Sequence, residues 1–209
     1  MEGDASLLPA ASFAEACATL TQLCGATLAW QWTDAPASGA WRTGWLVLKQ
    51  RLQLPCEVAP QQELAARGAH ADDPGALAVS AASSSHLYSL CVCYNSVYSV
   101  PQLLFRGCTA EGAPLSWQAT LADLQRFSAG SLPSDSVSPW AHPVTGEEWM
   151  TLHPCNTRAF LGLMLADAPG DQSRGAAWLL RYMRAWWSVA GAAVGAPPLP
   201  LDAMHACDA

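Results

Sequence analysis

Hydrophobic residues recur at two different spacings along the chain, and the spacing changes near residue 26. Between Phe13 and Leu23 apolar side chains recur every three or four positions, which predicts a helix over residues 12–24. Between residues 26 and 32, and again between 41 and 54, apolar and polar residues alternate, as on a strand with one buried face. The beginning of the chain therefore predicts a helix followed by a long hairpin.

The alternating pattern returns in the middle of the chain. The segments "HLYSLCVCYN" (86–95) and "SVPQLLFRGCT" (99–109) predict two strands that meet near Tyr98. Before them, residues 55–84 are rich in Pro, Gly, Ala and Ser, which is typical of a long flexible loop insertion. We therefore predict a single domain over residues 1–209 that carries this insertion.

Helical spacing dominates the rest of the chain. We expect five further segments: a helix over 117–127 with Ser116 as its N-cap, a loop over 128–139, a strand over 148–152, a short helix from Thr157 to Leu165, and a last helix over 174–190. The order is a helix, four main strands, a helix, a connecting segment and further helices. This order predicts an α+β fold.

Composition and charge exclude several kinds of partner. Hydrophobic residues make up 51% of the chain and charged residues 13%, which is enough apolar material for a large core. The net charge is −7 and the basic residues form no cluster, so we expect neither nucleic acid nor an anionic membrane surface as partner. No apolar run reaches the roughly 18–20 residues of a transmembrane helix, so no stable membrane insertion is expected.

The cysteines point to a reducing compartment. The first basic residue is Arg42, so the beginning of the chain has no signal-peptide pattern. We therefore expect a cytoplasmic protein whose eight cysteines are reduced thiols. Cys91, Cys93 and Cys108 could be arranged with a histidine around zinc, but C-x-C on a strand lacks the paired C-x₂-C knuckles of structural zinc sites. Core packing is the preferred interpretation, and no metal is predicted.

One cysteine lies in a polar setting. In "HPVTGEEWMTLHPCNTRAF" (142–160), Cys155 follows Pro154, with His153 and Arg158 close by in sequence. Positive charge and the free amides at a helix N-terminus both stabilise a thiolate. We therefore predict that Cys155 is a nucleophile, with a buried structural thiol as the alternative. Nucleotide-binding motifs and the G-x-S-x-G elbow are absent from the sequence, so no cofactor is expected.

The same segment resembles the active site of the autophagy-related protein 10 family of ubiquitin-like-conjugating enzymes. In that family a His-Pro, a Gly, an aromatic residue and Leu-His-Pro-Cys lead to the thioester cysteine, and the matching residues here are His142, Pro143, Gly146, Trp149, Leu152, His153, Pro154 and Cys155. Residues 94–117 are similar to a second signature of the family, and residues 186–201 to its last helix and exit. The resemblance covers residues 86–201 well and the first 85 residues loosely.

The resemblance implies a fold and a reaction. The fold would have a ubiquitin-conjugating-enzyme-like core, a four-stranded antiparallel sheet flanked by helices, with the cysteine on a segment after the last strand. Cys155 would accept the modifier, autophagy-related protein 12, as a thioester from the activating enzyme, autophagy-related protein 7. It would then transfer the modifier to a lysine of autophagy-related protein 5.

The residues that would assist the transfer are less defined. Ubiquitin-conjugating enzymes place His-Pro-Asn before the cysteine and use its asparagine, whereas here Val144 follows the His-Pro. The chain has two asparagines, Asn95 and Asn156, and we favour Asn95 because it lies close to Tyr98 in the sequence. Asn156 directly follows Cys155, and the side chains of consecutive residues on an extended chain point apart. A turn and a helix cap explain the two asparagines equally well. Tyr98 and His153 are the further candidates.

Two other functions remain open on the sequence. A cysteine hydrolase would use Cys155 with His142 or another histidine as base, held by a third group. A non-catalytic adaptor with the same fold would bind a partner through a surface rich in tryptophan, of which the chain has ten. Formation of a modifier thioester distinguishes the conjugating enzyme from both alternatives.

Overall fold

Antiparallel strands form one sheet with helices flanking it, in a computed structural model that describes residues 6–36, 43–48, 52–55, 85–128, 134–166 and 175–199. Within these residues the helices are α1 (Ala10–Leu28), α2 (Trp117–Phe127), α3 (Cys155–Met164) and α4 (Ala176–Ala193). The strands are β1 (Trp30–Thr33), β2 (Trp45–Leu48), β3 (Leu52–Pro55), β4 (Ser85–Asn95), β5 (Val100–Cys108), β6 (Val137–Ala141) and β7 (Glu148–Leu152). The predicted α+β class is confirmed.

The sheet has the order β1-β2-β4-β5-β7-β6, and β3 pairs with β4 beyond the end of β2. The described residues contain seven strands, whereas the sequence predicted four main strands and a short one over 148–152, and there are two reasons for the difference. The segment predicted as one strand over 41–54 contains both β2 and β3. The segment predicted as a loop over 128–139 contains the start of β6, where Val137 alone is buried and the alternating pattern is therefore missing. Pro139 is tolerated there because β6 lies at the edge of the sheet.

One face of the sheet carries the main core. Because side chains alternate along β4, Leu90 and Val92 point to the face that α1 and α4 cover. Aromatic rings join the layers, as where Trp30 meets Trp187 edge-to-face with 5.4 Å between ring centroids. Each such large side chain contributes about 1.5–3 kcal/mol when it is fully buried. The helices are thereby held on one side of the sheet.

The opposite face carries a smaller group, which we call the outer cluster: Trp45, Cys91, Cys93, Leu104 and Trp149. The turn between β6 and β7 lies over it and packs Val144 against it. The central strand β4 is therefore buried on both faces near its end, which explains why Cys91 and Cys93 are almost inaccessible.

A buried charge network holds α2 against the sheet at the other end of β4. Asp123 accepts a hydrogen bond from the Tyr88 hydroxyl at 2.6 Å, and its carboxylate lies 2.7 Å from His86 Nδ1 and 2.9 Å from an Arg126 nitrogen. Burial, followed by the hydrogen bond to Asp123, raises the pKa of the Tyr88 hydroxyl well above its ordinary value.

The helices follow the predictions with one correction. Ser116 caps α2, because its side chain accepts a hydrogen bond from the Ala119 amide at 3.2 Å. The predicted cap at Thr157 is wrong: α3 begins at Cys155, with Pro154 as its N-cap. The ring of a proline fixes φ near the helical value and needs no amide hydrogen there, so the helix begins directly after it. The predicted insertion over 55–84 lies outside the described residues except for Pro55.

None of the described helices is long and apolar enough to cross a membrane.

Candidate active site

A short connection between β7 and α3 positions Cys155. Strand β7 ends at Leu152 and α3 begins at Cys155, so only His153 and Pro154 lie between them. The side chains of Cys155 and Asn156 lie outside what the structure describes, but their backbone forms the first turn of α3. The amides of a first helical turn have no partner within the helix and carry partial positive charge. The backbone thus brings an anion-stabilising helix end to the residue predicted as the nucleophile.

Two of the predicted site residues meet beside this turn. The Tyr98 ring contacts the His153 ring edge-to-face, with 6.0 Å between their centroids. Tyr98 belongs to the turn between β4 and β5, and the backbone amide of exposed His153 donates to the Ser136 carbonyl at 2.7 Å. The structure therefore brings the β4–β5 turn and the segment before Cys155 together.

Asn95 closes the turn that carries Tyr98. Its buried side-chain carbonyl accepts hydrogen bonds from the amides of Val97 at 3.0 Å and Tyr98 at 3.1 Å. Its amide nitrogen donates to the Gln102 side chain at 2.8 Å. The sequence analysis gave a turn as one explanation of Asn95. That turn is present, and the hydrogen bonds that close it fix the side chain of Asn95.

Gln102 and Thr151 were missed by the sequence analysis. The Gln102 amide donates to the Thr151 hydroxyl at 3.0 Å, and that hydroxyl donates to the Leu103 carbonyl at 2.8 Å. Both side chains are buried, and with Asn95 they join β4, β5 and β7 at the end where Cys155 follows. The signal available in the sequence was a lone amide, Gln102, within the otherwise apolar run of residues 100–105.

A cavity of about 290 Å³ opens next to the first turn of α3. Its lining includes His153 and Thr157, the described neighbours of Cys155 on either side in sequence. The remaining wall is mostly apolar and comes from α3, α4 and the ends of β5 and β7. A largely apolar cleft therefore reaches the segment that carries Cys155.

His142 lies far from this site. Val137 of β6 pairs with Leu152 of β7, so His142, which follows the other end of β6, lies at the opposite end of the hairpin from Cys155. Five strand residues separate the two ends by on the order of 15 Å, several times the reach of a hydrogen bond. This geometry opposes a hydrolase in which His142 is the base for Cys155.

His142 instead joins the outer cluster. Its Nε2 lies 3.6 Å from the Cys91 sulfur, which lies 3.7 Å from the Cys93 sulfur. Hydrogen bonds from Cys91 and then from His142 lower the pKa of the Cys93 thiol, while that of Cys91 is raised. Cys108, which the sequence placed in the same candidate group, bonds to the Leu87 carbonyl instead.

Comparisons with known proteins identify the family of the chain. A family model described as "Autophagocytosis associated protein, active-site domain" matches residues 12–199. The chain is 28% identical over 127 residues to a protein of Arabidopsis thaliana named "Ubiquitin-like-conjugating enzyme ATG10", covering 59% of this chain and 55% of that protein. It is also 28% identical over 128 residues to the Homo sapiens protein of the same name, covering 59% and 56%. The chain thus spans about half the length of these relatives.

Proposed function

The chain belongs to the family of autophagocytosis-associated proteins with an active-site domain, and we propose that it is an E2-like conjugating enzyme of autophagy that carries a ubiquitin-like modifier on Cys155. The observation that supports this most directly is the position of Cys155 as the first residue of α3, two residues after β7. A cysteine in the first turn of a helix is favoured as a thiolate, which is the reactive form.

The first step is thioester exchange. The Cys155 thiolate attacks the carbonyl carbon of the modifier's thioester on the activating enzyme. The new carbon–sulfur bond forms as the old one breaks, and the activating enzyme's cysteine leaves as a thiolate. The apolar cleft beside His153 and Thr157 limits water near the product thioester, which favours transfer to an amine over hydrolysis.

The second step is aminolysis. A neutral lysine amine attacks the thioester and releases one proton to water, the tetrahedral oxyanion collapses, and the Cys155 thiolate leaves as an isopeptide bond forms. We assign Tyr98 and His153 to the flank of the thioester because their rings meet beside the first turn of α3. We assign Asn95 to the turn that positions Tyr98, since one of its amide hydrogens is already engaged by Gln102.

The partners follow from the resemblance in the signature segments. We infer that the modifier is autophagy-related protein 12, the activating enzyme autophagy-related protein 7, and the acceptor a lysine of autophagy-related protein 5. The relatives' names support a ubiquitin-like modifier. We place the reaction in the cytoplasm, where thiols stay reduced.

A charging reaction tests the proposal. The protein is incubated with activating enzyme, modifier and ATP and run on a non-reducing gel beside its Cys155→Ala and Cys155→Ser variants. We expect a reducible adduct with the wild type, none with Cys155→Ala, and a hydroxide-sensitive ester with Cys155→Ser. Cys108→Ser is the matched control, a partly exposed thiol bonded within the sheet, and it should charge normally.

Two outcomes contradict the proposal. An adduct that persists in Cys155→Ala places the thioester on another cysteine. Absence of any adduct, with modifier or acceptor still bound to the protein, supports the non-catalytic adaptor instead.

A further inference from the structure

Three atoms that commonly ligate metals meet inside the outer cluster. The sulfurs of Cys91 and Cys93 and the Nε2 atom of His142 all lie within 4.8 Å of one another. The three side chains are 1%, 2% and 4% exposed, so water reaches none of them freely. Such a group on the face opposite the main core plays no part in the chemistry of Cys155.

Two of the three separations match the edges of a tetrahedral zinc site. Zinc binds a thiolate at about 2.3 Å and an imidazole nitrogen at about 2.0 Å, which places two sulfurs about 3.8 Å apart and a sulfur and nitrogen about 3.5 Å apart. The observed distances are 3.7 Å between the sulfurs and 3.6 Å from the Cys91 sulfur to His142 Nε2. We propose that Cys91, Cys93 and His142 form a zinc site.

The charge of the ligand set favours a divalent ion. Two thiolates and a neutral imidazole carry a charge of −2, so Zn²⁺ gives a neutral complex, whereas Cu⁺ leaves a negative charge. The surroundings are apolar, because the outer cluster also contains Leu104 and the indole rings of Trp45 and Trp149. An uncompensated charge is strongly disfavoured in such surroundings and a neutral complex is not. Three protein ligands leave one position for water, as in other zinc sites with an open position.

Zinc binding requires the ring of His142 to change its tautomer. Its Nδ1 accepts hydrogen bonds from the amides of Val144 at 3.3 Å and Thr145 at 3.2 Å, so the neutral ring carries its proton on Nε2, towards the sulfurs. Zinc on Nε2 requires the proton on Nδ1, and the two amides must then turn away. Thr145 is exposed and Val144 is half-buried, so water can replace the ring as their acceptor. Displacement of these two amides is a signature of the site.

The site connects parts of the sheet that do not pair directly. Strands β5 and β7 lie between β4, which carries the cysteines, and β6, which His142 follows. Zinc would therefore tie the β6–β7 turn to the central strand across two intervening strands. A metal held in this way stabilises the folded state, since the unfolded chain offers no such arrangement. This inference stands or falls independently of the proposed conjugating activity.

Metal titration of the full chain tests the site. The protein carries Cys155→Ser, so that the reactive thiol cannot bind metal, and is titrated with Zn²⁺ and with Co²⁺ as a spectroscopic probe. We expect one ion per chain and the thiolate-to-cobalt absorption of a tetrahedral site. Cys93→Ser should weaken binding more than about 100-fold, beyond the range seen for residues that only support a ligand. Cys17→Ser, which removes a buried thiol on the helix-covered face, should bind as tightly as the parent.

The proposal is overturned if the chain binds no zinc, or if Cys93→Ser and His142→Asn both bind it as tightly as the parent. If these variants do not fold, the ¹⁵N amide signals of the parent protein decide. Equimolar zinc should shift the Val144 and Thr145 signals, and unmoved signals would place any bound ion elsewhere.

Discussion

The chain contains the dipeptide His-Pro at both ends of one hairpin, and the two copies have opposite environments. His142, after β6, is 4% exposed and lies between the rings of Trp45 and Trp149 at centroid distances of 5.2 and 6.0 Å. His153, after β7, is exposed, and its ring meets that of Tyr98. The first copy packs a turn onto the sheet and the second leads into Cys155. The position along the hairpin, and not the dipeptide, determines the role.

Alanine at each histidine should separate the two roles. His142→Ala leaves a cavity beside the rings of Trp45 and Trp149, so we expect the free energy of unfolding to fall by about 2–4 kcal/mol. His153→Ala removes an exposed side chain and should change it by less than about 0.5 kcal/mol. Urea denaturation in the presence of a chelator measures both.

The two variants should affect transfer of the modifier in the opposite order, with the larger effect at His153. His153→Ala should slow discharge to the acceptor, while His142→Ala, at a temperature where it stays folded, should discharge normally. Equal losses of stability in the two variants would remove the contrast between the two copies.

The buried Asn95–Gln102–Thr151 chain offers a second test, because it stabilises the end of the sheet that bears Cys155. Thr151→Val keeps the shape of the side chain but leaves the Gln102 amide without its acceptor, which should cost about 1–3 kcal/mol. Thr157→Val in α3 is the control, because Thr157 is only half-buried. If Thr151→Val costs no more stability than Thr157→Val, the bond between the Gln102 amide and the Thr151 hydroxyl does not stabilise this end of the sheet.

The smallest expected effect concerns the turn beneath His142. Gly146 has φ +68°, and a Cβ atom built there meets nothing within 4 Å. Gly146→Ala should therefore lower the free energy of unfolding by about 1 kcal/mol through backbone strain alone. Gly162→Ala, in the middle of α3, should be neutral or stabilising by a similar amount. Thermal melts of the two variants should move in opposite directions.

Long regular patterns were predictable from the sequence. The strands β4, β5 and β7 and the helix α2 lie close to their predicted bounds, because several consecutive residues of each obey one period. Strand β6 was missed because an edge strand with one buried residue leaves no such pattern. The start of α3 was misplaced by two residues, since the proline before it was treated as a turn rather than as the helix cap.

The candidate site was predictable in part. The cysteine and its neighbours came from a local motif, and Tyr98 came from a second motif that the fold brings to the first. The pairing of Cys91 with His142 was not predictable, because the two residues are 51 positions apart and meet only through the order of the strands. Hydrophobic periodicity defines the faces of a strand but not which strands become neighbours.

The edge strand β6 has a consequence for how the protein behaves at high concentration. Trp140 is 43% exposed on this edge strand. An exposed aromatic residue on an edge strand favours the addition of a strand from a second chain. Pro139 stands directly before Trp140 and has no amide hydrogen to offer an incoming strand. Pro139, which is tolerated only because β6 is an edge strand, thus also protects the protein from edge-to-edge aggregation.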